Sequence, residues 1–246
     1  MSLEKVMPFQ QLRVHIPFAT EDITAYTRKG KKIQIMANPY LMKENITFTI
    51  ECNDPYWKKL QSIRCKWHIS FGRYSDTHQN WRYKMKASHT REAVAIALNM
   101  SYMFSSERFK NALHDFGPLH SNNDKNIIDK DALLTKAINH RGLVFGYTTG
   151  VMGLGGGTTF GIHESCYLEH YADDKSITET IYHEFAHCLG YGHNGNMTYE
   201  QTGPGWVSLC NKVYVDLSLD KELPVYSRRF MHTRRNKNRY FDDIYV

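Results

Sequence analysis

Three histidines at positions 183, 187 and 193, with a glutamate at 184 and a glycine at 190, constrain this 246-residue chain more than any other feature. The run reads His183-Glu184-Phe185-Ala186-His187-Cys188-Leu189-Gly190-Tyr191-Gly192-His193. A helix rises about 1.5 Å per residue with about 3.6 residues per turn, so His183 and His187 lie on one face and can reach one metal ion. Glu184 is rotated away from that pair and can stand beside the ion as a base without being a ligand. Gly190 lets the helix end, because glycine tolerates the left-handed conformation that reverses a chain at a C-terminus. That reversal would swing His193 back to the same ion. A catalytic zinc has three protein ligands and an open fourth position, and this run supplies that count, so one Zn²⁺ is the expected cofactor. A purely structural site closes its fourth position and needs no base, so the presence of Glu184 favours catalysis.

The flanking residues fit the same geometry. Ser176 and Glu179 are spaced as a capping box, in which each satisfies a free backbone N–H at a helix start. Ile177, Ile181, Phe185, Cys188 and Leu189 follow at helical spacing and form an apolar stripe to pack on a core. His183 and His187 fall roughly opposite it. The predicted helix is therefore buried on one side and shows its histidines to a cleft on the other.

The pattern H-E-x-x-H-x-x-G-x-x-H resembles the extended zinc signature of the metzincin metallopeptidases. Metzincins share a methionine-bearing turn beneath the metal, and Met197 matches it; Met231, in a basic and irregular tail, is the weaker alternative. The Met-x-Tyr arrangement of Met197 and Tyr199 is similar to the astacin and serralysin groups, in which that tyrosine ligates zinc or stabilises the oxyanion. Only three residues separate His193 from Met197, so the turn follows the third histidine almost at once. A core methionine and a core or surface tyrosine are the plainer readings of the same two positions.

The resemblance implies an α+β fold: a twisted mixed sheet, an active-site helix and a C-terminal helix. It implies a zinc-dependent metalloendopeptidase acting on a protein or peptide substrate, with His183, His187 and His193 holding the metal and Glu184 as general base. Metzincins also bind extended substrate along an edge strand above the active-site helix. The glycine-rich stretch from Gly153 to His163 is not a dinucleotide fingerprint, since the third glycine of that motif is missing. Its segment Thr158 to Ile162, with Thr158, Thr159, Phe160 and Gly161 as substrate contacts, is the candidate for that strand; an ordinary glycine-rich hairpin fits as well. His163 and His170 have no assigned role.

The rest of the chain falls into two parts. Leu12, Val14 and Ile16 alternate with polar residues, as do Ile33 and Ile35, then Ile46, Phe48, Ile50 and Cys52, then Cys65, Trp67, Ile69 and Phe71. This period-two pattern predicts antiparallel strands in a small β-sandwich-like accessory domain over residues 1–86. Helical periodicity then predicts helices over Arg91 to Phe104, Glu107 to Phe116 and Lys130 to His140, within a metzincin-like domain over 87–246. After Gly203-Pro204-Gly205, Trp206, Leu209, Cys210, Val213 and Leu217 share one face of a further helix.

Composition narrows the function classes. Hydrophobic content of 41% with 23% charged residues is that of a globular protein. No apolar run approaches the ~20 residues of a membrane span. Met1-Ser-Leu-Glu-Lys leads directly into mixed sequence with no signal-peptide pattern, while the resemblance implies a secreted, periplasmic or cell-surface enzyme. The five cysteines leave at least one unpaired; a Cys52–Cys65 bridge is sterically possible, and Cys188 and Cys210 are expected as buried thiols.

The net charge of +6 concentrates in a tail holding Arg228, Arg229, Arg234, Arg235, Lys237 and Arg239, which raises nucleic acid as a partner. Zinc proteases acting on DNA-bound proteins do not place their third ligand by this spacing, which counts against that reading. A solvated charge run is the plain alternative. The competing reading of the whole is a catalytically inactive, metzincin-like binding protein that recognises protein or glycan through its β-domain. Oligomeric state is not legible.

Overall fold

The computed structural model describes residues 2–3, 10–15, 23–26, 33–34, 47–52, 55–72, 81–82, 85–121, 126–170, 175–199, 203–227 and 244–245. It divides into two compact units, Met1–Gln61 and Ser62–Val246. The basic tail over 228–243, with Met231, lies outside the described residues.

The first unit contains β1 (Ser2–Leu3), β2 (Gln10–His15), β3 (Ile23–Tyr26), β4 (Ile33–Gln34), β5 (Thr47–Cys52) and α1 (Pro55–Gln61). Strands β3, β2 and β5 form an antiparallel sheet in that order, and β1 pairs antiparallel with β4. The register sets Leu12 opposite Ile50 and Val14 opposite Phe48, which keeps the two alternating apolar patterns in phase.

The second unit is a mixed α+β assembly. Its strands are β6 (His68–Phe71), β7 (Trp81–Arg82), β8 (Gly142–Thr148), β9 (Gly153–Gly156), β10 (Thr159–His163), β11 (Tyr226–Ser227) and β12 (Ile244–Tyr245). Its helices are α2 (Ala87–Ser105), α3 (Glu107–Asp115), α4 (Lys130–Ile138), α5 (Glu164–Glu169), α6 (Lys175–Cys188) and α7 (Trp206–Leu219). The main sheet runs β6-β8-β10-β9; β6, β8 and β10 are parallel, and β9 is an antiparallel edge. β7 continues along the edge of β8 that β6 occupies, with Trp81 opposite Thr148.

One sequence expectation is corrected here and one open possibility is decided. Residues 62–86 do not join the N-terminal unit, because β6 pairs with β8, Ile69 lying opposite Leu143. Alternation along 65–71 reveals a strand but not its sheet, which long-range pairing decides. Cys65 is a free thiol whose Sγ lies 3.6 Å from the Ser101 carbonyl, so the bridge to Cys52 is not formed. Cys166, Cys188 and Cys210 are free and buried.

The core forms where α6 and α7 pack together beside α2. Ile177, Ile181, Phe185, Cys188 and Leu189 of α6 are all buried, as are Trp206, Leu209, Cys210, Val213 and Leu217 of α7. Phe104 of α2 stacks on Trp206 at 5.7 Å and on Phe185 at 5.2 Å, joining the three helices through aromatic faces. The helix α6 starts at Lys175, so Ser176 is its second residue rather than its cap. No helix among the described residues is long and apolar enough to cross a membrane.

Candidate metal centre

With its apolar stripe committed to the core, α6 turns its other face outward, and its end is built to bring a third histidine round. Gly190 has φ +85°, a conformation that a side chain resists. Its N–H donates to the His187 carbonyl at 2.9 Å, and the Tyr191 N–H donates to the Ala186 carbonyl at 3.1 Å. These are the two bonds of a Schellman cap, which satisfies the last carbonyls while reversing the chain.

The reversed chain orients the imidazoles. His187 Nδ1 lies 2.7 Å from the Tyr191 carbonyl and His183 Nδ1 lies 2.9 Å from the Thr198 carbonyl. A carbonyl can only accept, so both rings carry their proton on Nδ1 and present a lone pair at Nε2. His187 Nε2 lies 3.1 Å from His183 Nε2 and 2.9 Å from His193 Nε2. Two ring nitrogens without protons cannot hydrogen-bond each other, whereas a cation among them would satisfy all three. Zinc–nitrogen bonds of about 2.0–2.1 Å in a tetrahedral site separate ligand nitrogens by roughly 3.3 Å, close to the spacing found. Burial pushes His183 and His187 below the usual imidazole pKa, toward the neutral form that ligates. The three histidines could therefore hold a metal ion.

Glu184 stands beside this triad under the edge strand. It is buried, and burial pushes its carboxyl up to about 7, opposed by a hydrogen bond from the Gly155 N–H. β9 can come this close because positions 153 and 155 carry no side chain: a Cβ at either would overlap Glu184. On the far side, Thr148 Oγ1 donates to the Val151 carbonyl at 2.6 Å and the His163 N–H donates to that of Met152 at 2.7 Å, which fixes the rim leading into β9.

The segment after the triad closes the site. Met197 is buried in the core, and Thr198 supplies the carbonyl that orients His183. The Tyr199 ring lies 4.7 Å from the rings of both His183 and His193 and is half exposed. Asn196, which sequence reasoning missed, ties this segment down. Its Oδ1 accepts from the His120 N–H at 2.7 Å, and its Nδ2 donates to the Pro118 carbonyl at 3.0 Å and the Pro204 carbonyl at 3.4 Å.

The expected substrate strand is misplaced by one strand. Thr159, Phe160 and Gly161 lie in β10, whose two edges are taken by β8 and β9, and Thr158 lies in the turn before it. Phe160 and Gly161 are buried. The strand that borders the cleft is β9, and sequence alone did not tell which arm of this hairpin would lie at the sheet edge. His163 instead caps α5, accepting from the Ser165 N–H at 3.2 Å, and His170 is buried 3.0 Å from Glu92.

A cleft of about 680 Å³ runs over the triad. Val151, Met152 and Leu154 line one wall, and Glu179, Thr180 and Val207 line it with the histidines, Glu184 and Tyr199. Glu179, read from the sequence only as part of a capping box, stands four residues before His183 on the same helix face, the spacing that would have marked it as a cleft residue. No family model, no curated protein and no solved structure matches the chain.

Proposed function

We propose that the chain is a zinc-dependent metalloendopeptidase of metzincin type. The observation that carries this reading is the convergence of three histidine Nε2 atoms beside a buried carboxylate in a cleft bordered by an edge strand. Three imidazoles with an open side suit zinc, which would supply a Lewis acid that acidifies water and polarises a peptide carbonyl.

The chain's own groups would do the remaining work. The outer edge of β9 pairs with no strand among the described residues, and it would hold an extended peptide by main-chain hydrogen bonds. Glu184, steadied by the Gly155 N–H, takes the proton of the attacking water and delivers it to the leaving amine. A carboxyl shifted up to about 7 suits both halves of that transfer. The Tyr199 hydroxyl, beside the triad, would donate to the developing oxyanion.

Cleavage of a diverse quenched-fluorescent peptide library by zinc-loaded protein tests this, with phenanthroline and the Glu184→Ala variant as controls. Cleavage should stop in both controls, while the variant keeps its zinc. A variant retaining more than about a tenth of the rate sinks the assignment of the base, whose removal should cost at least 10²-fold or so. No cleavage under any condition shifts the reading to an inactive binding protein.

A further inference from the structure

We propose that His140 is a positioning residue for this site: its Nε2–H is shared between two backbone carbonyls and pins the β9–β10 turn to the end of α6, which keeps β9 against Glu184. The consequence for turnover rests on the peptidase reading above, and the pin itself rests on hydrogen bonds alone.

The turn needs an outside anchor. Positions 153, 155, 156 and 157 are all glycine, and Gly157 has φ +57° at the reversal from β9 into β10. Glycine loses more conformational freedom on folding than any other residue and brings no side chain to fasten a strand to its neighbours. These positions can be tied to α6 only through their backbone groups.

Three consecutive glycines are tied in this way. The Gly155 N–H donates to Glu184, and the Gly156 N–H donates to the Cys188 Sγ, one helical turn further along α6. The Cys188 thiol in turn donates to the Thr159 carbonyl at 3.2 Å. His140 holds the third: its Nε2 lies 3.1 Å from the Gly157 carbonyl and 3.3 Å from the Cys188 carbonyl. Both carbonyls only accept, so Nε2 carries the proton and serves both in a three-centre bond. Nδ1 is then an acceptor, and the Gly142 N–H donates to it at 3.3 Å. The ring meets Phe185 of α6 edge-on, with centroids 5.8 Å apart.

His140 lies in the link between α4 and β8 and does not line the cleft, so it acts through β9 and α6 rather than on a substrate. Without its N–H, the exposed Gly157 turns its carbonyl to water, and the hairpin lifts from the helix where glycines make it softest. The Gly155 N–H leaves Glu184 with it.

Two substitutions separate a pin from simple packing. His140→Phe keeps a ring against Phe185 and has no N–H, while His140→Gln gives up the ring and keeps an N–H at similar reach. In the zinc-loaded full chain, His140→Phe should speed amide exchange at Gly155 and Gly156, read by NMR, by about 10-fold, which is what one hydrogen bond contributes net. It should lower kcat for peptide cleavage by about 10- to 100-fold, as displacement of a catalytic group does. Zinc affinity should not change, because the Tyr191 and Thr198 carbonyls, not β9, orient the histidine rings. His140→Gln should stay near wild type in all three. His140→Leu takes the place of the phenylalanine variant if circular dichroism shows that chain unfolded.

Unchanged exchange at both glycines in His140→Phe overturns the inference and leaves the peptidase standing. The opposite order, a normal phenylalanine variant and a damaged glutamine variant, also overturns it, since the ring would then be a packing group. Zinc lost together with turnover overturns it as well, because His140 would then support the whole helix. Faster exchange at the glycines with no cleavage by the wild-type chain upholds the pin and refutes the peptidase.

Discussion

Alanine at Gly153 or Gly155 would place a methyl group against Glu184, and the two substitutions should break different things. At position 153 the three atoms nearest the new Cβ are all in the Glu184 side chain, Cγ, Cδ and Oε1. That side chain can rotate aside, so the fold survives, but its carboxylate leaves the place from which it would serve an attacking water. A displacement of about 1 Å in a catalytic group costs on the order of 10²-fold in rate. Gly153→Ala should therefore keep its zinc and its melting temperature and lose about 100-fold in kcat/KM.

At position 155 the Cβ would overlap the backbone carbonyl oxygen of Glu184, with its backbone carbon 3.0 Å away and carboxylate Oε2 2.9 Å away. A helix backbone cannot swing aside, so β9 must retreat from α6, and the Gly155 hydrogen bond to Glu184 weakens with it. Overpacking of this kind costs about 1–3 kcal/mol, and each kcal/mol lowers Tm by roughly 2–4 °C in a unit of this size. Gly155→Ala should lose both activity and stability. Gly117→Ala is the control, because a Cβ there meets nothing within 4 Å. Thermal melts, zinc content and steady-state cleavage read out all three variants. A Gly153→Ala enzyme within about threefold of wild type would refute the claim that the edge strand crowds the base.

Three further outcomes are expected. His193→Ala removes one of three converging imidazoles and should weaken zinc binding by more than the ~100-fold that loss of an outer-shell partner can cause; unchanged affinity in equilibrium dialysis would place the third ligand elsewhere. Asn196→Ala strips partners from the His120 N–H and the Pro118 carbonyl and should cost about 1–3 kcal/mol in urea unfolding; an unchanged midpoint would mean water replaces the amide there. Burial lowers the pKa of His170, opposed by Glu92, and that of His89, opposed by Glu164. Both therefore stay neutral in the fold at pH values where the unfolded chain, titrating near 6.5, takes up protons. That stability is present above about pH 6.5 and is lost as pH falls, so Tm of chelator-treated protein should drop between pH 7.5 and 5.5; a flat profile would contradict the shifts.

Much of the histidine-bearing helix was legible from residue order because its logic is local. Histidines four apart, a glycine that ends the helix and an apolar stripe opposite them are all properties of one continuous segment. The same holds for α7, whose five expected face residues are all buried. Strand β8 escaped notice for a physical reason: lying between parallel neighbours, it is buried on both sides, and Gly142 to Thr148 shows no alternation to mark it.

The order of residues alone determined which three imidazoles could converge and where the helix that carries them would stop. Helical periodicity and a left-handed glycine act over a few residues and leave their mark in the sequence itself. Tertiary structure decided that β9 rather than β10 borders the cleft and that residues 62–86 belong with the site-bearing unit. It also set the Gly155 N–H against Glu184 and shifted that carboxyl up to about 7. Strand order, close backbone approach and desolvation depend on segments far apart in the chain, and no local pattern encodes which of them will meet.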